Sequence, residues 1–299
     1  MLKIVNITFE YITNTKVLRG LNGEFNKGLN IIFANRGEGK TTLLDLLLFP
    51  KKNQTDITLN SEILTKKLAK VEISAVLSDW FLKENATAGD NFQVGKHQNK
   101  LSKEFLSKVG FFDIESQKIS ELSLSKRLEI TLIKALKKAP SLLVFDSPFD
   151  VSGSEKQLYL TLKKVIKAYQ NHTEKPLCVL LLSRPFDLGA DDVSLLLCGS
   201  IIHKNNYQNI RNKPATTTIA TSFSAFPNNI YAKGTQNFYV DGNKVEIGSE
   251  FEGVISSVQH DKMTIEFETE TLEIPIINTF KIGDKIGIKI PQKAVTKLD

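Results

Sequence analysis

The chain has 299 residues, 41% hydrophobic and 24% charged, with net charge +6 and a pI near 9.0; that length predicts one large domain and a small one. Its lysines are spread along the chain and not massed in a block, which reads first as a solvated surface and second as contact with acidic lipid headgroups or nucleic acid. No apolar run approaches the roughly 20 residues of a membrane helix, the start at Met1 to Val5 has no signal-peptide apolar region, and Cys178, Cys198, His97, His172, His203 and His260 have the spacing of neither a disulfide framework nor a metal site.

Two alternating runs come first, residues 2–9 and 16–19, with turn signals at Asn22-Gly23 and Lys27-Gly28. An apolar strand at residues 29–33 then leads into Ala34-Asn35-Arg36-Gly37-Glu38-Gly39-Lys40-Thr41-Thr42, and a helical run from Leu43 to Phe49 follows. Strand, glycine-rich turn, Lys-Thr and helix make the context of a phosphate-binding loop. Backbone N–H groups of such a turn cradle phosphate oxygens at a helix N-terminus. Lys40 would reach the β- and γ-phosphates and Thr41 would hold Mg²⁺. The loop opens on Ala34 where glycine is usual. Alanine costs roughly 1–2 kcal/mol there if the backbone needs a positive φ, and nothing if it does not.

Residues 50–53 break the chain, and residues 56–60 and 71–77 read as strands. Residues 80–120 are polar and helical in pattern, with Phe105, Val109 and Phe112 at near-helical spacing. Residues 128–138 predict a helix with Ile130, Ile133, Ala135 and Leu136 on its apolar positions. Lys134, Lys137 and Lys138 stand at its C-terminal end, where they suit the helix dipole. Residues 141–145, 177–182 and 193–197 are buried strands, and residues 158–169 an amphipathic helix. Both cysteines fall in apolar strand-like runs and are expected as reduced core residues of a cytoplasmic protein. Helices alternating with short continuous apolar strands indicate a largely parallel sheet covered on both faces.

From about residue 216 the helical period stops. Residues 238–240, 254–258, 263–267 and 286–290 read as short strands, with turns at Asp241-Gly242-Asn243 and Ile282-Gly283-Asp284. This predicts a small all-β, barrel-like module. The Thr/Ser-rich residues 216–224 are the expected hinge, which places the domains at 1–224, with a helical subdomain near 80–120, and at 225–299.

Tyr11, in Phe9-Glu10-Tyr11, the loop from Ala34 to Thr42, Leu122-Ser123 before a long helix, and Leu142-Leu143-Val144-Phe145-Asp146-Ser147-Pro148 stand in a familiar order. Residues 199–214, Phe223, Asn228-Asn229 and the ending from Ile282 to Val295 continue it. In that order the chain resembles the ATP-binding-cassette (ABC) transport ATPases, and more narrowly importer subunits with a C-terminal TOBE-like β-domain. The resemblance implies an α/β P-loop NTPase core with a helical subdomain, followed by a small all-β (OB/TOBE-like) domain. It implies ATP and Mg as cofactors. Tyr11 would stack on adenine, Asn35, Arg36, Gly37, Glu38, Gly39, Lys40, Thr41 and Thr42 would hold phosphates, and Thr41, Asp146 and Ser78 would lie at Mg²⁺. Ser123, Leu124 and Ser125 would form the signature loop. Transmembrane permease subunits and a second ATPase subunit, identical or different, would be the partners, at the inner face of the cell membrane and without nucleic acid.

The departures from that family bear on hydrolysis. Ser147 stands where the catalytic glutamate follows the Walker B aspartate, and serine cannot accept a proton from water near neutral pH. Arg184 stands for the switch histidine and is permanently charged. Ser78 falls at the Q-loop glutamine, Leu122-Ser123-Leu124-Ser125-Lys126 replaces Leu-Ser-Gly-Gly-Gln, and Gly153 replaces the aspartate after Walker B. The expectation is an ATP binder that cleaves poorly: an importer ATPase, or a non-hydrolysing regulatory or structural subunit paired with an active paralogue. An oxyanion- or nucleic-acid-binding module is the third reading. The β-domain has neither the short Ser/Arg/Asn motif of molybdate binders nor aromatics interleaved with basic residues. Asp150 is the residue expected to act as base if turnover persists.

Overall fold

Consecutive apolar residues belong in the centre of a parallel sheet, where both faces are covered, and the apolar runs at residues 31–33, 142–145 and 178–182 lie on adjacent strands. The computed structural model describes residues 1–13, 15–52, 55–78, 80–93, 100–149, 154–186, 192–224, 226–233, 235–259, 261–267, 270–277 and 280–299. His97, Asp150, Gly153 and His260 lie outside the described residues. The chain forms two compact units, one built from Met1–Leu188 with Asp192–Lys204, the other holding Asn205–Asp299.

In chain order the first unit runs β1 (Leu2–Ile12), β2 (Thr15–Phe25), β3 (Gly28–Phe33), α1 (Lys40–Leu48), β4 (Ile57–Leu59), β5 (Glu62–Ile63), α2 (Lys66–Glu72) and β6 (Ile73–Val76). It continues through α3 (Ala88–Gln93), α4 (Lys103–Lys108), α5 (Leu124–Leu136), β7 (Leu142–Asp146), α6 (Glu155–Gln170), β8 (Cys178–Ser183), β9 (Asp192–Leu197) and β10 (Ser200–Asn206). Among the described residues the strands form a six-stranded sheet, β10-β9-β3-β8-β7-β6, and a four-stranded one, β2-β1-β4-β5. β3 pairs in parallel with β8 and β9, and β7 with β6 and β8. Ile32, Val144, Leu180 and Leu182 of the parallel sheet share a core cluster with Leu43 and Leu47 of α1 and with Leu2, Ile4 and Leu18 of the antiparallel sheet. Each such side chain contributes about 1.5–3 kcal/mol by leaving water. The helix that follows the phosphate loop is thereby pinned against the sheet. The expected α/β fold with a mainly parallel central sheet is the observed one.

Several local expectations change. Asn22-Gly23 is not a turn but lies inside β2, with Gly23 opposite Ile4. The Asn22 side chain is used up in the ladder: its Oδ1 accepts the Asn6 N–H at 2.9 Å and its Nδ2 donates to the Gly20 carbonyl at 2.7 Å. Residues 66–72 are helix α2, capped by the Thr65 hydroxyl, so the strand starts only at Ile73. Residues 80–120 form short helices and turns, and Phe112 is 49% exposed where a helix would bury it. Gly110, at φ 72, ends α4, and Phe111 takes the core place against Phe92, with ring centroids 5.0 Å apart. The shift arises from the left-handed cap: the Phe111 N–H returns to the Leu106 carbonyl at 2.9 Å. Helix α5 starts four residues earlier than its apolar period does, because Ser123 caps it. Lys137 stands at the C-terminal end of α5 as expected and is buried there, with its Nζ donating to the Phe92 carbonyl at 3.0 Å.

The second unit holds α7 (Tyr207–Asn212), α8 (Thr217–Phe223), β11 (Ile230–Lys233), β12 (Gln236–Val240), β13 (Glu246–Gln259), β14 (Lys262–Phe267), β15 (Glu270–Pro275), β16 (Lys285–Lys289) and β17 (Val295–Leu298). Its sheets are β11-β12-β17 and β15-β14-β13-β16, all paired antiparallel. Ile255, Met263, Ile265, Leu272, Ile286 and Ile288 fill its core. The expected hinge at 216–224 is largely helix α8. The Thr216 hydroxyl accepts the Ile219 N–H at 3.2 Å, and Ala220 packs with Phe226, Tyr239 and Leu298. Serine and threonine read as linker because they favour helix caps as well as turns. Residues 205–224 thus group with the β unit rather than with the larger one. No helix among the described residues is long and apolar enough to cross a membrane.

The two cysteines part company. Cys178 is fully buried, and burial pushes its thiol up to about 12. Cys198 is exposed in the turn after β9, at φ 51, and not in the core as expected. Alkylation of the native protein near neutral pH is therefore expected to label Cys198 alone, and of the denatured protein to label both; mass spectrometry distinguishes one adduct from two. Two adducts without denaturant would contradict the buried position of Cys178.

Candidate functional site

The site is assembled by strand register. Phe33 of β3 is level with Ser183 of β8, and Asp146 of β7 is level with Leu182. The Ala34 N–H donates to the Ser183 carbonyl at 2.9 Å, and the Ser147 N–H to the Leu182 carbonyl at 2.8 Å. The ends of β3, β7 and β8 therefore carry the glycine-rich loop, Asp146-Ser147 and Arg184 to one edge. The carboxyl edge of a parallel sheet is where α/β proteins bind ligands.

Ala34 is fully buried and is not among the residues at positive φ, so alanine costs nothing there. The turn takes its left-handed residues at Gly37, φ 89, and Gly39, φ 102. Gly39 immediately precedes α1. A Cβ on it would stand 2.8 Å from Leu18 Cδ2 and 3.3 Å from Val17 Cγ1, so both conformation and space require glycine.

A cleft of 790 Å³ opens at this edge. Tyr11, Arg36, Gly37, Gly39, Lys40, Thr41, Thr42, Ser147 and Arg184 line it, as does Val17, which the sequence did not mark. Lys40 Nζ donates to the Ala34 and Asn35 carbonyls, each at 2.8 Å, and so hangs over the loop where a phosphate chain would lie. Asn35 serves through that carbonyl. Glu38 does not line the cleft: its Oε2 accepts the Cys198 N–H at 2.5 Å. Tyr11 is 63% exposed, stands edge-on to Phe9 at 4.9 Å, and its hydroxyl lies 3.2 Å from Thr42 Oγ1. An open aromatic face beside a phosphate loop suits a purine base.

Thr41 Oγ1 donates to Asp146 Oδ2 at 2.8 Å. One hydroxyl and one carboxylate are the partial shell that Mg²⁺ takes from a protein when phosphates and water complete it. Among the described residues no cluster of three His, Cys, Asp or Glu could hold a metal alone. The donor set thus fits Mg²⁺ carried by a nucleotide.

Of the described residues at the family's hydrolytic and signature positions, Ser147 and Arg184 line the cleft and the others do not. Ser147 lines the cleft at φ 50, with its Oγ donating to Asp146 Oδ1 at 3.2 Å. Arg184 Nη2 donates to Glu155 Oε1 at 2.6 Å. Glu155 carried no motif that would have marked it. Ser78 is exposed and does not line the cleft. Ser123, Leu124 and Ser125 open α5 and do not line it either; the Ser123 hydroxyl accepts the Lys126 N–H at 3.4 Å as a helix cap.

Comparison with known proteins bears on the family and the fold. The family profile described as "ABC transporter" matches residues 18–150. The chain is similar to the spermidine/putrescine import ATP-binding protein PotA of Mesoplasma florum, 24% identical over 261 residues that cover 83% of this chain and 72% of that one. It is similar to the cytochrome c biogenesis ATP-binding export protein CcmA of Reclinomonas americana, 32% identical over 162 residues, 49% of this chain and 72% of that one. Among solved structures, the ADP conformation of an ATP-binding cassette from an ABC transporter matches with a TM-score of 0.59 at 19% identity, covering 72% of this chain and 95% of that one.

Proposed function

Because this chain belongs to the family of ABC transporter ATP-binding proteins, we propose that its cleft binds Mg-ATP to drive or regulate a solute importer, with impaired hydrolysis. The observation that carries the reading is the contrast within one cleft. Lys40, Thr41 and Asp146 hold the positions that bind phosphate and Mg²⁺, while Ser147 stands where a proton acceptor belongs. Losing one positioned base typically slows a reaction by roughly 10²–10⁴-fold.

With a nucleotide bound, Gly37, Gly39 and the start of α1 would present N–H groups to its phosphates, Lys40 would offset their charge, and Thr41 with Asp146 would hold the metal. The metal would supply charge neutralisation of the phosphate chain. The Ser147 hydroxyl can hydrogen-bond a water but cannot take its proton. The importer assignment draws on relatives whose match extends over most of the chain; those are named for spermidine and putrescine import. A polyamine is accordingly the solute class we assign. The second unit is read as a TOBE-like domain, and the partners as permease subunits and a second ATPase subunit at the inner membrane face.

A second reading follows from Ser147 and the altered signature. Family ATPases pair head to tail, so a homodimer would place every defect in both sites. With an intact paralogue, one site would have a complete base and histidine facing Ser123 of this chain. The test is ATP affinity by calorimetry beside turnover. The isolated chain is expected to bind Mg-ATP and to turn over well below about 1 s⁻¹, the low end of ordinary enzymes, with activity restored by a catalytically complete partner. Turnover of about 1 s⁻¹ or faster by the chain alone, abolished in Lys40→Ala, would refute impaired hydrolysis. No affinity at millimolar ATP would refute the nucleotide site itself.

A further inference from the structure

Glu38 belongs to the phosphate loop, yet its side chain does not line the cleft. It stands between Gly37 at φ 89 and Gly39 at φ 102. Glycine loses more freedom on ordering than any other residue, so a loop built this way is costly to hold in one shape. The Glu38 carboxylate opposes that freedom. Its Oε2 accepts the Cys198 N–H at 2.5 Å, and a hydrogen bond to an ionised acceptor is stronger than one between neutral groups.

The far end of this bond is well anchored. Cys198 and Gly199 are the two residues between β9 and β10, at φ 51 and φ 78. Two left-handed residues in a two-residue connection make a tight hairpin turn. The N–H of the first central residue takes no part in closing such a turn, which leaves it for Glu38. Gly199 is buried, and a Cβ on it would collide with the Val17 carbonyl oxygen. Its own carbonyl accepts the Arg19 N–H at 2.9 Å. A Cβ on Gly39 would stand 2.8 Å from Leu18 Cδ2. Residues 17–19 of β2 therefore touch both the turn and the loop. Lys40 also holds the loop, through the Ala34 and Asn35 carbonyls, but its Nζ is the group that phosphates draw away. The Glu38 bond points elsewhere and survives occupation of the cleft.

We propose that Glu38 is a positioning residue for the phosphate loop: through the Cys198 amide it holds the N–H groups of residues 37–39 in the arrangement that receives a nucleotide's phosphates. A site ordered in advance binds more tightly than one that its ligand must order. Nucleoside diphosphates and triphosphates depend on Glu38 alike, because the bond shapes the loop that both occupy. This rests on the nucleotide-binding reading above and adds what keeps that site formed.

Calorimetric titration of Mg-ADP and Mg-ATP into the full chain tests it. Glu38→Ala is expected to weaken both nucleotides by about 10-fold, the scale of one hydrogen bond to a charged group. Glu38→Asp keeps the charge but is one methylene too short to reach the amide, and should weaken both in the same way; it carries the comparison if the alanine variant does not fold. Glu38→Gln keeps an acceptor at the original reach and should bind both nucleotides about as well as wild type. The exposed Cys198 thiol reports the bond independently: its alkylation in the nucleotide-free protein should be faster in Glu38→Asp than in wild type, and unchanged in Glu38→Gln. Wild-type affinity in Glu38→Asp, a loss confined to ATP, or a loss in Glu38→Gln as large as in Glu38→Asp would overturn the proposal and leave the nucleotide site standing. A wild-type chain that binds neither nucleotide would overturn both.

Discussion

Replacing Lys40 by alanine is expected to weaken Mg-ATP binding by about 100-fold or more while leaving the fold intact. The ammonium donates to two carbonyls, those of Ala34 and Asn35, at 2.8 Å, and Lys40 is not among the buried residues of the core. When a nucleotide enters, the same group can turn to two phosphate oxygens. Hydrogen bonds to charged groups contribute about 1.5–3 kcal/mol each, so losing two that matter only in the complex removes about 3 kcal/mol or more, or two decades of affinity. Helix α1 should persist, because Leu43, Leu44 and Leu47 stay buried and alanine is the best helix former. Calorimetry gives the affinity and circular dichroism the fold. An unchanged affinity would mean that ATP binds elsewhere than in this cleft.

How much of this was legible before the fold was known depends on what each residue does. The phosphate loop was readable because its constraint is local: glycines at positive φ, a lysine and a hydroxyl at fixed spacing, between an apolar strand and a helix. The parallel strands were readable because burial on both faces leaves a continuous apolar run. Ala34 could not be decided, because its cost hangs on one backbone angle. Glu155 could not be found as a partner of Arg184, because their contact comes from α6 starting beside the end of β8, two segments 29 residues apart. Glu38 sits within the loop motif, yet its side chain turns to the Cys198 amide, a partner 160 residues away.

The misreadings have the same cause. Asn22-Gly23 is a strong turn signal, but Asn6 at φ 51 bends the paired strand and the Asn22 amide closes that irregularity. Phe112 fitted a helical period that Gly110 interrupts. Residues 216–224 have linker composition, yet three apolar side chains, Ile219, Ala220 and Phe223, are buried on one helix face. In each case a tertiary partner outweighs a preference worth only about 1 kcal/mol or less per residue.

The replacement Ser147→Glu asks whether the missing proton acceptor is the main defect, and a gain of turnover of about 10²-fold is expected, toward the lower end of what one base supplies. The position is favourable. The Ser147 N–H is tied to the Leu182 carbonyl at 2.8 Å and its side chain lines the cleft, so a carboxylate there would extend toward the phosphate end. Its φ of 50 is costly for any residue but glycine; serine already bears that cost, so glutamate adds little. What limits the gain is Arg184 on the same wall. A permanent positive charge nearby stabilises the carboxylate and makes it a weaker base. The double variant Ser147→Glu, Arg184→His should therefore exceed the single one and approach the upper part of that 10²–10⁴ range, and adding Lys40→Ala should abolish the gain. Single-turnover ATP cleavage, measured with nucleotide affinity held in view, separates chemistry from binding. No rise in cleavage from either variant, with ATP still bound, would locate the defect outside this pair of positions, in the altered signature from Leu124 to Lys126 or in the absence of a second subunit.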